Sequence, residues 1–538
     1  MMSVHTNPQP VAHLGQPPGN AADGGVISSV RGRVGVLLRA VVADKRLAWG
    51  LALLVAVGYG LVAGWWTPRG PMSTFEGLSA MGLALLVGSV AGFVLRTRWA
   101  MLVAPVTFVV VFELMRLGAS GPTVDGIHLG SEYGVMAFAL GRGVHALLAL
   151  LPMVLGAALG AALARRRLST GRSQRGFLSG LGVWLRRGVA LATGLVLVAL
   201  AAFVTRPATT DPIVDADGQA VPGSVAELTR VEIGGHDLAL MIRGRSDQNP
   251  VLLFLAGGPG GSELGAMRRH SEELEDDFVV ATFDQRGTGK SYDQLDPADS
   301  LTLDRAVADA LEVTNYLRDR FGKDQIYLAG QSWGSLLGVL AVQRQPELYS
   351  AFVGVGQMVS PKETDQIFYR DTLAWARETG NTDLVDTLTS SGPPPYENML
   401  DYESALSYEL EVYPYSHAGN SEGSGQMGEN ILVEEYTLLE QAHVFAGVMD
   451  TFSVLYPQIQ DIDFRTQATS LDVPVYLAQG AHEARGRAEP AQQWFDLLQA
   501  PSKKLVTFDT SGHRPLWEQP AEFHDLMTTV LAETAPTP

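Results

Sequence analysis

The sequence predicts an all-α membrane region followed by an α/β domain with a doubly wound, mostly parallel sheet. Long apolar stretches fill the chain up to Val204, and beyond it short apolar runs bounded by glycine alternate with helical patterns. Charge changes at the same place. The part up to Arg206 holds 18 of the 39 basic residues but only 6 of the 57 acidic ones. Because segments of opposite charge usually occupy different environments, we treat the two parts as separate domains.

Five apolar stretches have the composition of membrane-spanning helices, which need about 20 mostly apolar residues. They are Leu47–Trp66, Leu78–Leu95, Trp99–Leu117, Val144–Leu163 and Val189–Val204. Arginine and lysine concentrate before the first stretch, between the second and third, and between the fourth and fifth. Because basic loops stay in the cytoplasm, the N-terminus is predicted to be cytoplasmic and everything after the fifth span extracytoplasmic. One span fewer or more would reverse the side of the second domain.

The same patterns set the predicted domain boundaries. Where strand–helix alternation stops, Tyr, Pro, Glu and Gly become frequent, and we expect a helical cap over the sheet. The predicted segments are a disordered basic cytoplasmic tail (1–46), a five-helix membrane region (47–204), a linker (205–226), the first part of the α/β core (227–359), the cap (360–471) and the second part of the core (472–538).

Composition excludes several classes of function. The chain has no cysteine, which excludes disulfides, a thiol nucleophile and Cys-ligated zinc. The acidic second part argues against a nucleic-acid partner, because phosphate contacts need Lys and Arg. His482 and Glu483 lack the second histidine of a zinc helix, so we expect neither a metal nor another cofactor.

The α/β domain is predicted to begin with a hairpin, Val225–Ile233 and Asp237–Arg243, joined at two glycines. Six apolar runs follow, and continuous apolar strands of this length suit a parallel sheet covered on both faces. The runs are Val251–Leu255, Phe278–Phe283, Gln325–Ala329, Ala351–Val355, Val473–Ala478 and Lys504–Phe508. Helical patterns lie between them, at Leu301–Phe321 and Ser335–Gln345 among others.

Ser332 is the candidate nucleophile. It occupies the centre of the sequence GQSWG, residues 330–334, directly after a predicted strand and before a predicted helix. A G-x-S-x-G sequence in this setting is typical of a sharp turn that lifts the serine above the edge of the sheet. The turn is too tight for flanking side chains, and the helix N-terminus helps to stabilise negative charge beside the serine.

A nucleophilic serine needs a base and an acid that orients the base, and in this type of sheet the chain order is serine, acid, histidine. His513 follows the last predicted strand and is the candidate base. The acid should follow the strand Val473–Ala478, where Glu483 is our choice. Asp472 lies at the wrong end of the sheet, and Asp509 would require an unusual loop.

Backbone N–H groups are expected to form an oxyanion hole. One donor is predicted to be Trp333, directly after the nucleophile. The second is expected from Gly257 or Gly258 in the glycine-rich loop Ala256–Gly261, which we call the oxyanion loop. Glycine lets this backbone approach a substrate carbonyl closely.

Three motifs in this order resemble the proline iminopeptidase group of α/β-hydrolases, over about Glu227 to Leu526. They are GGPG at residues 257–260, DQRGTGKS at 284–291 and GQSWG at 330–334. The resemblance implies an α/β-hydrolase fold with a cap, and removal of an N-terminal residue, often proline, from peptides. The group usually has His at the position of Ala256 and Asp at the position of Glu483. Ala256 begins the oxyanion loop, so the first departure affects how that loop is positioned. Glu483 is a carboxylate like Asp, so the second departure conserves the negative charge.

The resemblance also implies that cap glutamates bind the substrate amine. Glu434, Glu435 and Glu440 are the candidate counterparts in this chain. On so acidic a domain, a solvated surface role is the alternative for each of them.

Three functions stay open at this point. The leading hypothesis is a membrane-anchored aminopeptidase that cleaves small peptides outside the cytoplasm through a Ser-His-Glu triad. The second is a carboxylesterase or lipase-like enzyme that uses the same triad on an acyl ester. The third is a non-catalytic membrane sensor, which the fold alone would permit. The expected partners are a peptide or acyl substrate and the lipid bilayer.

Overall fold

The computed structural model describes residues 44–168, 177–416, 428 and 431–534. The predicted tail therefore lies outside the described residues, apart from residues 44–46.

Five helices form the first region, and each overlaps one predicted span. They are α1 (Lys45–Trp66), α2 (Thr74–Leu95), α3 (Ala100–Met115), α4 (Glu132–Arg167, with π-helical turns at Ala139–Gly143 and Ala146–Leu150) and α5 (Phe177–Val204). Within the described residues, four helices are long and apolar enough to cross a membrane, and α3, with 16 residues, is the shorter one.

Helix α3 packs lengthwise on α1. A Cβ added to Gly60 would lie 2.9 Å from Cβ of Val111, and one added to Gly64 would lie 2.5 Å from Cβ of Met115. Because both positions advance by four residues together, the two helices run in the same direction. They therefore begin and end on the same sides of the helical region.

Two pairs of glycines bring α2 and α4 into backbone contact. At each of these positions an added Cβ would lie 2.0 to 2.2 Å from a carbonyl oxygen of the opposite helix, so no side chain fits. The glycines are Gly88, Gly92, Gly156 and Gly160. Small residues at this spacing allow close helix packing, and here they serve contacts within one chain.

The second region contains one eight-stranded sheet of order β1-β2-β4-β3-β5-β6-β7-β8. Strands β1 and β2 pair antiparallel with each other, β2 pairs antiparallel with β4, and all other pairs are parallel. The strands are β1 (Val225–Ile233), β2 (His236–Gly244), β3 (Val251–Leu255), β4 (Val279–Phe283), β5 (Ile326–Gln331), β6 (Tyr349–Val355), β7 (Val475–Gly480) and β8 (Lys503–Phe508). This topology confirms the predicted fold class.

Helices cover both faces of the sheet, which is why strands such as β3 and β4 are buried at every residue. The core helices are α6 (Leu264–His270), α7 (Leu274–Asp277), α8 (Leu303–Phe321), α9 (Trp333–Arg344), α16 (Arg485–Leu497), α17 (Pro515–Glu518) and α18 (Pro520–Thr534). Short 3-10 turns occur at Gly289–Gln294, Ala298–Ser300, Pro346–Leu348 and Tyr456–Ile459.

Between β6 and β7 the chain leaves the sheet. The described part of this segment is helical and comprises α10 (Pro361–Thr379), α11 (Thr382–Ser391), α12 (Met399–Leu406), α13 (Glu409–Val412), α14 (Leu438–Leu455) and α15 (Phe464–Gln467). Its aromatic side chains pack on one another: the ring of Tyr402 lies 5.0 to 5.6 Å from those of Tyr396, Phe452 and Tyr456.

Candidate active site

Ser332 lies in the sharp turn between β5 and α9. Its backbone has φ 54° and ψ −117°, a conformation that is strained for a residue with a side chain. A Cβ added to Gly330 would lie 2.2 Å from the carbonyl oxygen of Gly334, and one added to Gly334 would lie 2.0 Å from that of Leu255. The glycines on both sides of the serine are therefore required, as the sequence pattern predicts.

Two backbone N–H groups beside this turn donate no hydrogen bond to any described residue. They belong to Trp333, the first residue of α9, and to Gly258 in the oxyanion loop. The N–H of Gly257, the other predicted donor, instead donates to Oε2 of Glu263 at 2.8 Å. Of the three predicted donors, Trp333 and Gly258 therefore have N–H groups without a partner among the described residues, whereas the Gly257 N–H fixes the loop.

Gln285 connects the two sides of this site. Its amide nitrogen donates to the carbonyl oxygen of Ala256 at 3.1 Å, and its oxygen accepts from the indole N–H of Trp333 at 2.9 Å. All three residues are buried. Gln285 therefore holds the beginning of the oxyanion loop in register with the first residue of α9.

His513 follows β8 and Glu483 follows β7, and the fold brings them together. Nδ1 of His513 lies 2.6 Å from Oε2 of Glu483. The imidazole covers Gly356, since a Cβ added there would lie 2.8 Å from Nδ1. The backbone N–H of Ser332 in turn donates to the carbonyl oxygen of Val355 at 2.9 Å. His513 and Ser332 are thus anchored at two consecutive residues, the last residue of β6 and the one that follows it.

The hydrogen bond to Glu483 leaves Nε2 of His513 as the nitrogen available to a serine hydroxyl. Among the described residues, no hydrogen bond joins the Ser332 hydroxyl to this imidazole. Such bonds are often long without substrate and tighten only in the reacting complex.

Arg487 is a further residue of this cluster that sequence reasoning did not find. Its Nε donates to Oε1 of Glu483 at 2.7 Å, four residues along the chain. Burial would raise the pKa of Glu483, but Arg487 and His513 outweigh it and lower that pKa to about 2. Glu483 is therefore ionised at neutral pH. The spacing of Glu and Arg at i and i+4 was the available signal.

Arg487 also contacts the cap. Its second nitrogen pairs with Glu409 of α13, and its guanidinium lies 4.8 Å from the ring centroid of Phe368 in α10. The carboxylate that orients His513 is thus connected through one buried arginine to two cap helices.

The predicted amine-binding glutamates Glu434 and Glu435 have other partners. Glu434 pairs with Arg206 at 2.7 Å, and both side chains are largely exposed. Glu435 is buried, lies 3.3 Å from Arg268 and accepts a hydrogen bond from Thr210. These contacts tie this part of the cap to the linker and to helix α6, and none of them involves Ser332.

Glu440 has two structural contacts. Its carboxylate accepts from the N–H of Thr437 and so completes the N-terminal cap of α14. It also lies 2.8 Å from Nζ of Lys290. Neither contact is with Ser332 or His513.

No group of three or more His, Asp or Glu side chains suited to a metal ion occurs in the part of the chain that the structure describes.

The fold and the turn at Ser332 define a class of protein. The sequence profile of the alpha/beta hydrolase fold family matches residues 250–520, and the chain belongs to this family. It is a hydrolase. The chain is also similar to proteins named as aminopeptidases.

The probable aminopeptidase YbaC of Bacillus subtilis (strain 168) is 30% identical over 310 residues, which are 57% of this chain and 96% of that protein. The proline iminopeptidase of Xanthomonas citri is 36% identical over 104 residues, 19% of this chain and 31% of that protein. Among solved structures, a proline iminopeptidase-related protein of Thermus thermophilus is 20% identical, with a TM-score of 0.41. The match covers 58% of this chain and 99% of that protein's chain.

Proposed function

We propose that the protein is a membrane-anchored serine aminopeptidase that removes N-terminal residues from small peptides outside the cytoplasm. The observation that carries the proposal is the 2.6 Å contact between His513 and an ionised Glu483, anchored beside the strained turn of Ser332. The chain is similar to a probable aminopeptidase along 96% of the length of that protein, which supports a peptide with a free N-terminus as the substrate.

In the proposed reaction, Oγ of Ser332 attacks the carbonyl carbon after the N-terminal residue, and its proton passes to Nε2 of His513. The resulting oxyanion accepts hydrogen bonds from the N–H groups of Trp333 and Gly258. Loss of one such donor typically costs about 3 kcal/mol of transition-state stabilisation. The ionised Glu483 stabilises the imidazolium that forms.

His513 then donates its proton to the departing amine, and the peptide leaves with a new N-terminus. The remaining acyl group is an ester of Ser332. Water, deprotonated by His513, hydrolyses that ester and restores the serine. No step needs a metal or an organic cofactor.

Recognition of the substrate amine by Glu440, Glu434 or Glu435 stays a prediction. Each of these carboxylates has a basic partner in the structure, respectively Lys290, Arg206 and Arg268. A substrate amine would have to displace that partner, or take a second place beside the same carboxylate.

The proposed extracytoplasmic side rests on the basic loops of the sequence and on helix packing. α3 has only 16 residues, but it runs parallel to α1. This packing supports the interpretation that α3 also crosses the membrane. The loops after α1 and after α3 both contact the α/β domain, through Arg69 and Thr123, and this domain follows α5. Five crossings from a cytoplasmic N-terminus would put all three of these segments outside.

The test is hydrolysis by the full-length chain in lipid nanodiscs, with Ser332→Ala as the control. The substrates are proline-, alanine- and leucine-linked aminoacyl reporters with a free or a blocked amine, and short acyl esters. Serine-dependent cleavage that is lost when the amine is blocked supports the aminopeptidase. Cleavage of esters alone would replace it by an esterase, and turnover of neither class would favour the sensor.

A further inference from the structure

The loop between α1 and α2 inserts one arginine into the α/β domain. The side chain of Arg69 is completely buried. Its Nη1 lies 2.9 Å from Oδ2 of Asp450, its Nε and Nη2 donate to Asp296, and Nη2 also donates to the carbonyl oxygen of Ser120. A guanidinium removed from water requires such partners on each nitrogen.

Asp450, in cap helix α14, receives donors from three parts of the chain. Besides Arg69, the backbone N–H of Thr123 donates at 3.0 Å, the Thr123 hydroxyl at 2.6 Å and the Tyr292 hydroxyl at 2.6 Å. Thr123 belongs to the loop after α3, and Tyr292 to the 3-10 turn that follows β4. Because the carboxylate is fully buried, its charge depends on these contacts.

Helix α14 in turn lies directly on the oxyanion loop. A Cβ added to Gly260 would lie 2.4 Å from the carbonyl oxygen of Gly447, so the two backbones touch. The hydroxyl of Thr451, next to Asp450, donates to the carbonyl oxygen of Gly287 at 2.6 Å. A shift of α14 therefore displaces the loop that carries the Gly258 N–H.

The start of α14 is also held by the membrane helices. Leu439 packs on Gly77 of α2, at 3.4 Å from the position of an added Cβ, in a buried apolar cluster shared with α4 and α5. The members of this cluster are Met81, Leu148, Leu155, Leu197, Val204 and Leu439. The membrane region thus touches α14 at two places. Near the first residue of α14 the contact is apolar, through Leu439, and nearer the end of α14 it is ionic, through Asp450.

We propose that the membrane helices complete the active site: Arg69 is a positioning residue that holds α14, through Asp450, against the oxyanion loop. The proposal rests on the proposed hydrolase activity. It also gives the five helices a role that a single anchoring helix could not supply, because the two loops that contact Asp450 follow different helices.

The experiment uses the full-length chain in lipid nanodiscs and compares kcat, KM and hydrogen exchange. Arg69→Met removes the ion pair, Arg69→Lys keeps the charge, and Thr123→Val removes one hydroxyl donor with little change of shape. The matched control is Arg243→Met, which breaks an equally buried ion pair with Glu275 that lies within the α/β domain.

We expect Arg69→Met to lower kcat per folded molecule about tenfold or more, because small misplacements of catalytic groups have large effects on rate. KM should stay within about twofold, since substrate contacts are unchanged. Hydrogen exchange should accelerate in residues 257–261 and 438–455. Thr123→Val should show a smaller change in the same direction, and Arg69→Lys should recover part of the rate. Arg243→Met should change thermal stability but not kcat.

Unchanged kcat and unchanged exchange at residues 257–261 in Arg69→Met would overturn the proposal, as would an equal loss of kcat in Arg243→Met. If Arg69→Met does not fold, Thr123→Val decides in the same way. If the wild type hydrolyses no reporter, the proposed function fails, while the exchange data still decide whether Arg69 holds the oxyanion loop.

Discussion

Nε of Arg487 donates at 2.7 Å to one oxygen of Glu483, and the other oxygen of that carboxylate lies 2.6 Å from Nδ1 of His513. Arg487 therefore keeps Glu483 ionised and fixes the orientation of its carboxylate, which contacts the proposed base His513. Arg487 is itself buried and contacts two cap helices, so the proposed triad acid is held by a residue outside the proposed triad.

Arg487→Met should lower kcat/KM by about tenfold to 100-fold and raise the pH at which activity is lost on the acid side. The guanidinium is one of the two groups that lower the pKa of Glu483 against the effect of burial, so its removal raises that pKa from about 2. The pH profile of kcat/KM measures the change. Arg485→Met is the matched control, because Arg485 lies on the same helix but forms a partly exposed pair with Asp371. An unshifted acid limb in Arg487→Met would contradict the assigned role.

Asp365→Asn should stabilise the protein more at pH 8 than at pH 5. Burial raises the pKa of Asp365 from 3.8 to about 7, against the lowering effect of hydrogen bonds from Tyr456 and Gln460. An acid whose pKa is raised by folding binds its proton more tightly in the folded state. The stability of the wild type should therefore fall as the pH rises from about 4 through about 7.

Thermal unfolding of the full-length chain at the two pH values measures this effect. The exposed Asp461 of the same segment provides the control, and Asp461→Asn should be neutral at both. A variant Asp365→Asn that loses stability equally at pH 5 and pH 8 would show that the carboxylate is not protonated in the folded state.

Gln285→Leu should reduce kcat about tenfold with a smaller effect on KM. The change leaves the indole N–H of Trp333 and the carbonyl oxygen of Ala256 buried without their partner, which costs about 1–3 kcal/mol for each group. Both groups flank the proposed oxyanion hole. Gln343→Leu, which removes an exposed contact of α9 with the carbonyl of Gln467, is the control. Equal kinetics of the two variants would argue against a bracing role for Gln285.

A cysteine at Gln248 should react with a membrane-impermeant thiol reagent on intact cells, and one at Thr97 should react only after permeabilisation. The chain has no native cysteine, so each label reports one site. Gln248 lies in the α/β domain and Thr97 in the basic loop between α2 and α3. Labelling of Gln248→Cys only after permeabilisation would place the α/β domain in the cytoplasm and refute five crossings from a cytoplasmic N-terminus.

The sequence predicted the eight strands because buried parallel strands appear as short continuous apolar runs, and the turn at Ser332 because its glycines are sterically required. The contact between Glu483 and His513 followed from the order of strands β7 and β8. Strand ends differed by at most two residues, and the longer C-terminal ends arise where glycine and polar residues such as Gln331 extend the hydrogen bonding beyond the apolar run.

Other features depend on contacts between segments distant in sequence. Gly257 was predicted as an oxyanion donor, but Glu263 folds back at the start of α6 and accepts its N–H. The pairing of Glu440 with Lys290 joins residues that are 150 positions apart. No local pattern could show that Arg69, in a loop between two apolar helices, reaches Asp450.

The most direct test of the account is to treat the full-length protein with a fluorophosphonate, which reacts with activated serines, and to locate the adduct by peptide mass spectrometry. We predict modification of Ser332, no adduct in Ser332→Ala, and a reaction at least about 100-fold slower in His513→Gln, because the base no longer accepts the proton. Modification of a different residue, or an undiminished reaction in Ser332→Ala, would contradict the assignment of Ser332 as the nucleophile.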